Sequence, residues 1–233
     1  MPLERTTDVE QSLVKIQKQL RKIDQLRLPR RSRRDIESIL VEQVARELDR
    51  ALPVRAGHGL RTAETAMLLG QELAMVNEEL HQLKLASYLH DVGLLLMPRG
   101  VAEDSSYLDA DAYRAVQNHA RLGASLLEPF SFLQAASVFI AHHHERWDGS
   151  GYPYGIRGPF IPLGARILAV ADAFDAIAVP NVQEQSQRDL IALRILLVAS
   201  GTQFDPTVVE QFARIMLKQQ RRSCLQPLPT ILS

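Results

Sequence analysis

Cysteine is almost absent from this chain of 233 residues: Cys224 stands alone. An internal disulfide and a thiolate-rich zinc site are thereby excluded, and a reducing compartment, the cytoplasm, is the expected location. Long apolar runs are missing too. None reaches the about eighteen residues that mark a membrane-spanning helix, and the opening MPLERTTDVE lacks the apolar stretch of a signal peptide. Charge of one sign is equally lacking. With 27 basic and 27 acidic side chains the formal net charge is zero, so no global field draws the protein onto nucleic acid or an anionic membrane. The chain has no alternating apolar pattern that reads as a strand, no Walker-type glycine-rich loop and no Gly-x-Ser-x-Gly elbow. What remains is a succession of helical patterns punctuated by Gly, Pro, Asn and Asp, and the fold class is expected to be all-α.

Residues 1–50 read as an N-terminal helical arm, 51–215 as the main domain and 216–233 as a tail. In the arm, Leu13, Ile16, Leu20 and Ile23 follow at alternating steps of three and four. Such a stripe serves either the seam of a helix pair, which would make a homodimer, or packing on the chain's own core. The arginine-rich segment from Arg27 to Arg34, around Pro29, reads as a solvated hinge before a second helix from about Asp35 to Leu52. Further on, Ser186 with Asp189 resembles a capping box, Gly201 stands where a C-terminal cap belongs, and Asp205-Pro206 reads as an N-cap followed by proline at the first helical position.

The histidines are not scattered. His119 shares a helical face with Ala112, Val116 and Gly123 on a helix expected to begin near Asp109, so its ring points inward. His143 continues the stripe Phe132, Ala136, Phe139, and His144 the stripe Leu133, Ile140. His90 ends a helix carrying Leu83, Ala86 and Leu89, and Asp91 follows it just before Gly93, a helix stop. Asp172 lies on a helix from about Leu163 to Val179 that is apolar nearly all round, with Asp175 one turn on. Burying His58, His90, His119, His143 and His144 with Asp91 and Asp172 costs heavily in desolvation unless a cation gathers them. His81, on a mainly polar face, and His142 are read as structural. Nitrogen and carboxylate ligands without thiolate suit iron, manganese or zinc, and seven ligands exceed one tetrahedral site. Two metals sharing Asp91 would lower the pKa of a shared water and clamp both oxygens of a phosphate ester, which predicts phosphoester hydrolysis by a bridging hydroxide.

Taken together, His90-Asp91-Val92-Gly93, His119 and HHHERWDGSGYP (His142 to Pro153) resemble an HD-GYP domain. The resemblance runs on through IPLGARILAVADAFDAI (Ile161 to Ile177) and GTQFDP (Gly201 to Pro206). It implies a helical HD-superfamily phosphohydrolase that linearises cyclic di-GMP or a related cyclic dinucleotide at a di-iron or related centre, with iron or manganese expected. Carried over residue by residue, the metal ligands are His58, His90, Asp91, His119, His143, His144 and Asp172, with His90 and Asp91 as catalytic residues. Gly151, Tyr152 and Pro153 match the loop that in the family is linked to contacts with diguanylate cyclase domains.

Departures from the family pattern bear on activity. Leu94 stands where HDxGK has its lysine, PNVQEQ (Asn181 and Glu184 included) replaces a basic Arg-Pro-Tyr-Arg-like run after the Asp172 helix, and RGVAEDSSYL replaces a KPG-containing segment. Val54 replaces a glutamate that adds a third metal in some members, so two metals are expected. Losing one preorganised charge contact at a phosphoryl centre costs about a hundred- to a thousandfold in rate. Arg99, Arg121, Arg157 and Arg166 are the candidate replacements. Arg166 and Arg121 come first as substrate-binding residues, Arg166 because it lies on the Asp172 helix; the alternative for each is a surface or ion-paired role. The main expectation is therefore a phosphodiesterase, the alternative a catalytically weakened HD-GYP signalling module that binds cyclases or other partners. A third reading is an HD-type hydrolase of another phosphorylated substrate.

Overall fold

The computed structural model describes residues 4–27, 29–97, 110–178 and 184–224. Helix α1 (Glu4–Asp24) places Ile16, Leu20 and Ile23 in one cluster with Val41, Val44 and Leu48 of helix α2 (Arg30–Ala51), and Ile16 and Leu20 are fully buried there. The stripe that suited either a dimer seam or the chain's own core belongs to the core. Lys15 from α1 and Arg50 from α2 both reach Glu47, at 2.5 and 2.7 Å, which closes the pair at its polar edge. Helix α2 begins at Arg30 instead of near Asp35, so the solvated hinge is short. Arginine is a good helix former, and Arg33 pairs with Glu37 one turn on at 2.6 Å, which favours helix over hinge.

The centre of the molecule is four helices that pack on one another: α3 (His58–Glu72), α4 (Asn77–Leu89), α7 (Gln134–His142) and α8 (Leu163–Ala178). Their inward residues, among them Ala66, Leu69, Leu83, Leu89, Ile140 and Leu168, are fully buried. Helices α5 (Ala110–Gln117) and α6 (His119–Leu127) flank this centre, with α6 against α7, while α9 (Gln185–Val198) and α10 (Pro206–Cys224) lie against α8. Among the described residues there is no strand, only an isolated bridge between Ser200 and Phe204, and the all-α expectation holds. No described helix is long and apolar enough to cross a membrane.

Several local readings change. Asn118 breaks the expected single helix, so His119 opens α6 instead of lying inside a longer element. Ser186 lies within the first turn of α9, after Glu184, and makes no cap, whereas Asp205 does: its Oδ1 accepts the Thr207 N–H at 2.8 Å ahead of Pro206. Residues 216–224, expected in the tail, are the end of α10. His81 is buried, because α2 covers the face that reads as polar; its Nε2 lies 3.0 Å from Glu37 and its Nδ1 3.4 Å from Ser38 Oγ. It joins α4 to α2, a structural part.

Candidate metal centre

Two antiparallel helix pairs bring the histidines together, and each does so in the same way: the first helix opens on a histidine and the second has just closed when its own arrive. His58 is the first residue of α3 and His90 follows α4. Their Nε2 atoms are 3.2 Å apart, and Oδ1 of Asp172, from the middle of α8, lies 3.0 Å from His58 Nε2 and 3.6 Å from His90 Nε2. His119 is the first residue of α6, and His143 and His144 follow α7. The His119 Nε2 lies 3.4 Å from that of His143 and 3.2 Å from that of His144. Within each triad the ligand atoms are all within 4.8 Å of one another. Asp91 stands between the two. Its Oδ2 is 3.4 Å from His90 Nε2 and 3.8 Å from His58 Nε2, and its Oδ1 is 3.9 Å from His119 Nε2.

The outer ring nitrogens settle what the inner ones offer. Nδ1 of His90 donates to Ser87 O at 2.9 Å, that of His119 to Val116 O at 2.6 Å and that of His143 to Ile140 O at 2.6 Å. Nδ1 of His58 faces Asp175 Oδ2 at 2.7 Å. A neutral imidazole that donates from Nδ1 presents a bare lone pair at Nε2, so the inward nitrogens of neutral His119 and His143 cannot hydrogen-bond to one another. The His119 and His143 lone pairs, turned on each other at 3.4 Å, suit a cation between them, and in the first triad the Asp172 and Asp91 oxygens beside the His58 and His90 nitrogens add anionic ligands for one. Nitrogen ligands about 2.0–2.1 Å from a tetrahedral ion lie about 3.4 Å from each other, close to these separations. The residues present therefore fit a metal in each triad.

The turns that aim these rings are tightly fitted. A Cβ on Gly93 would run into the His119 carbonyl, so the turn after Asp91 can lie against the start of α6 only with glycine; close approach, more than helix termination, is its reason. Gly151 is held likewise, because a Cβ there would meet the backbone of His144 and Arg146. The Tyr152 N–H then donates to His144 O at 3.2 Å, its ring lies 4.9 Å from the His144 ring, and Glu145 Oε1 accepts the Tyr154 N–H at 2.7 Å. The Gly151-Tyr152-Pro153 loop thus braces the second triad.

Electrostatics separate the triads. Burial alone would lower His58, but hydrogen bonds to Asp172 and Asp175 overcome it and raise the ring to about 10. His90 rises for the same reason, against burial, through Asp91 and Asp172. In the other triad burial wins: His119 is lowered, His144 falls to about 3 with His119 adding to the effect, and His143 drops well below the usual range beside His144 and His119. Burial opposes ionisation of Asp91 and Asp172 too. Even so, neighbouring His90 and Arg55 hold Asp91, and the hydrogen bonds of His58 and His90 hold Asp172, below the usual carboxylate range.

Three groups at the centre have no site role in the sequence reading. Arg55 Nη1 contacts Asp91 Oδ2 at 2.5 Å, across 36 positions of sequence. Asp175, noted only as a buried acid, receives His58 Nδ1 and is itself held by Arg61, whose Nε and Nη2 donate at 2.7 and 2.9 Å. Asp175 was findable, since it shares a face of α8 with Asp172; Arg55 carries no local signal. The substrate-binding candidates are elsewhere engaged or exposed. Arg166 donates to Asp205 at 2.5 Å and to Ile161 O at 2.8 Å and lies over the Trp147 ring, which makes it the anchor of the α10 N-terminus to α8. Arg121 and Arg157 are exposed. Leu94 is buried in the apolar cluster, and Val54 is exposed. Arg99, Asn181 and the RGVAEDSSYL segment lie outside the described residues.

Residues 41–208 match the HD domain family. The chain belongs to that family. A cyclic di-GMP phosphodiesterase response regulator, RpfG of Xanthomonas campestris, is 36% identical over 156 residues, 66% of this chain and 41% of its own. A 3'3'-cGAMP-specific phosphodiesterase of Vibrio cholerae is 31% identical over 179 residues, 76% of this chain and 34% of its own. The chain thus spans about two-fifths of the first relative's length. In fold, this HD domain resembles the cyclic GMP-AMP specific phosphodiesterase V-cGAP3 of V. cholerae, with a TM-score of 0.62 at 22% identity over 82% of this chain and 51% of that one. It also resembles Bd1817, an HDG"Y"P protein of Bdellovibrio bacteriovorus, with a TM-score of 0.60 at 15% identity over 93% of this chain and 74% of that one. The HD-GYP resemblance read from the motifs holds.

Proposed function

We propose that this HD domain is a metal-dependent phosphodiesterase of cyclic di-GMP or a related cyclic dinucleotide. The observation that carries the reading is the convergence of inward Nε2 atoms in two triads with one Asp91 oxygen turned toward each. His58, His90 and Asp172 would hold one ion, His119, His143 and His144 the other, and Asp91 would be shared. Two divalent ions bound there supply Lewis acidity and a water of lowered pKa. The chain's own part is to keep the rings in the ligating tautomer through their Nδ1 donors, to fix Asp91 between the triads, and to keep the triads dry by burial. The names of the relatives, phosphodiesterases of cyclic di-GMP and of 3'3'-cGAMP, support the substrate class. Iron or manganese is the proposed metal, and His90 and Asp91 the residues nearest the chemistry.

Turnover of cyclic di-GMP and of 3'3'-cGAMP by anaerobically purified protein loaded with iron or manganese, with metal quantified in the same sample, tests this. Metal with turnover is the expected result. Metal without turnover of either would move the chain to a second reading, a signalling module that has kept its centre and works by binding, with diguanylate cyclase domains the proposed partners of the loop. One feature favours that reading: Leu94, at the place of the family's lysine, is buried among apolar side chains and brings no cation.

A further inference from the structure

Arg55 ends a short 3-10 turn (Pro53–Arg55) just ahead of α3, and its guanidinium comes to Asp91 from the solvent side: the arginine side chain is 41% exposed, the carboxylate 8%. With His58, His90 and Asp91 it lines a small cavity, and Asp172 and Tyr152 are near enough to act on its charge. Among the described residues the hydrogen bonding of the guanidinium is limited to Nη1 on Asp91 Oδ2. That leaves the rest of a five-donor fork, which matches the geometry of a phosphate, directed at no acceptor among the described residues. The oxygen it holds is the one turned toward His58 and His90.

We propose that Arg55 is the cation that receives the substrate's phosphate, replacing the family lysine lost at Leu94, and that it rests on Asp91 only until the centre is filled. This rests on the metal-centre reading above. A divalent ion taken up beside Asp91 Oδ2 draws on the same negative charge that holds Arg55 and repels the guanidinium, while a phosphate arriving from the solvent side offers a fresh anion at the same place. Arg55 therefore competes with metal for Asp91 in the empty centre and serves phosphate in the full one. An arginine that merely supported Asp91 as a ligand would do neither.

The opposite signs of those two effects make the test. Mn2+ affinity is measured by titration for the full chain and for Arg55→Gln and Arg55→Lys. Binding of inorganic phosphate to each Mn2+-loaded protein is then followed by paramagnetic broadening of the phosphorus signal, with circular dichroism to verify the fold. Arg55→Gln is expected to bind Mn2+ at least as tightly as the parent and phosphate about ten- to a hundredfold more weakly, the loss of one charged hydrogen-bonding partner. Arg55→Lys is expected to fall between. Unchanged phosphate affinity in both variants, or Mn2+ affinity that falls with Arg55→Gln, would overturn the proposal in a chain that still loads metal. A parent chain that takes up no Mn2+ would instead overturn the metal-centre reading, and this one with it.

Discussion

The two triads are built by the same device, and their surroundings shift the histidines in opposite directions. Both use an antiparallel helix pair that opens and closes on histidine, yet the triad of His58, His90 and Asp172 has carboxylates on every side, while that of His119, His143 and His144 has only imidazole as its own ligands. The difference lies in what α8 contributes. Asp172 faces the first triad from within, and Asp175, braced by Arg61, holds the back of His58, so a buried ring is kept positive. Against the second triad the groups behind the rings are neutral backbone carbonyls and the Tyr152 ring, and burial keeps the histidines neutral. Without metal, then, the first triad holds protons where the second holds bare lone pairs. A carboxylate-bearing site favours harder ions, an all-imidazole site borderline ones, and iron is among the ions that suit both.

Asp91 is the element common to both triads, so its loss should abolish the comparison altogether. Asp91→Ala is expected to lower metal content at both positions and to reduce any phosphodiesterase rate by at least about a hundred- to a thousandfold, as for loss of a preorganised charge. Elemental analysis of purified protein checks it, and metal content equal to the parent's would refute the shared role. Asp175→Asn should strike one triad alone. It weakens the acceptor behind His58 and leaves Arg61 facing a neutral amide, so Mn2+ affinity of the first triad should drop about ten- to a hundredfold. The second should keep its own. Two-site titration separates them, and equal losses at both would show that the sites are not distinct.

The asymmetry was only partly legible in the sequence. Helical spacing sufficed to turn His143, His144 and Asp172 inward, because an apolar stripe on a helix has one place to go, the core. The same spacing put His119 on a longer helix than the one it opens after Asn118, yet its ring is buried as expected, and the close approach of Gly93 fixes its carbonyl. The stripe of the arm leaves a second copy and the chain's own core as alternatives because a periodic pattern does not say what it packs on; Ile16 and Leu20 pack with α2. Arg55 and Arg61 were invisible for another reason. A long charged side chain on an exposed turn or first helical turn has the same local signature whether it meets water or a buried acid, and only tertiary distance tells the two apart. Arg166 is the converse: its place on α8 marks it as a candidate for the site, and its ion pair with Asp205, distant in sequence, shows only in the fold.

Proton release sharpens the comparison further. Between about pH 6.5 and 10 the first triad must shed the His58 proton to take up an ion, so its affinity should rise by up to about tenfold per pH unit, whereas the neutral second triad should stay nearly flat. The sign is fixed by the raised ring: in the metal-free chain the stability due to charged His58 is complete below the ordinary value of 6.5 and lost as pH rises through about 10. Calorimetric titrations with Mn2+ in buffers of different ionisation enthalpy would count the protons, and equal release from both sites would contradict the charge assignment.

The smallest effect belongs to Tyr152. Its ring lies on His144, and an aromatic contact of this kind contributes about 0.5–1.5 kcal/mol. Tyr152→Ala should therefore weaken metal at the second triad by about three- to tenfold and leave the first untouched. That pattern is informative because the loop also serves as the proposed docking element for a cyclase domain. If the variant loses a partner in a pull-down while both metal affinities stay at parental values, the ring is a contact surface with no part in holding His144. If the second triad weakens and partner binding survives, the loop acts inward, as its hydrogen bond to His144 O and the tight fit of Gly151 require.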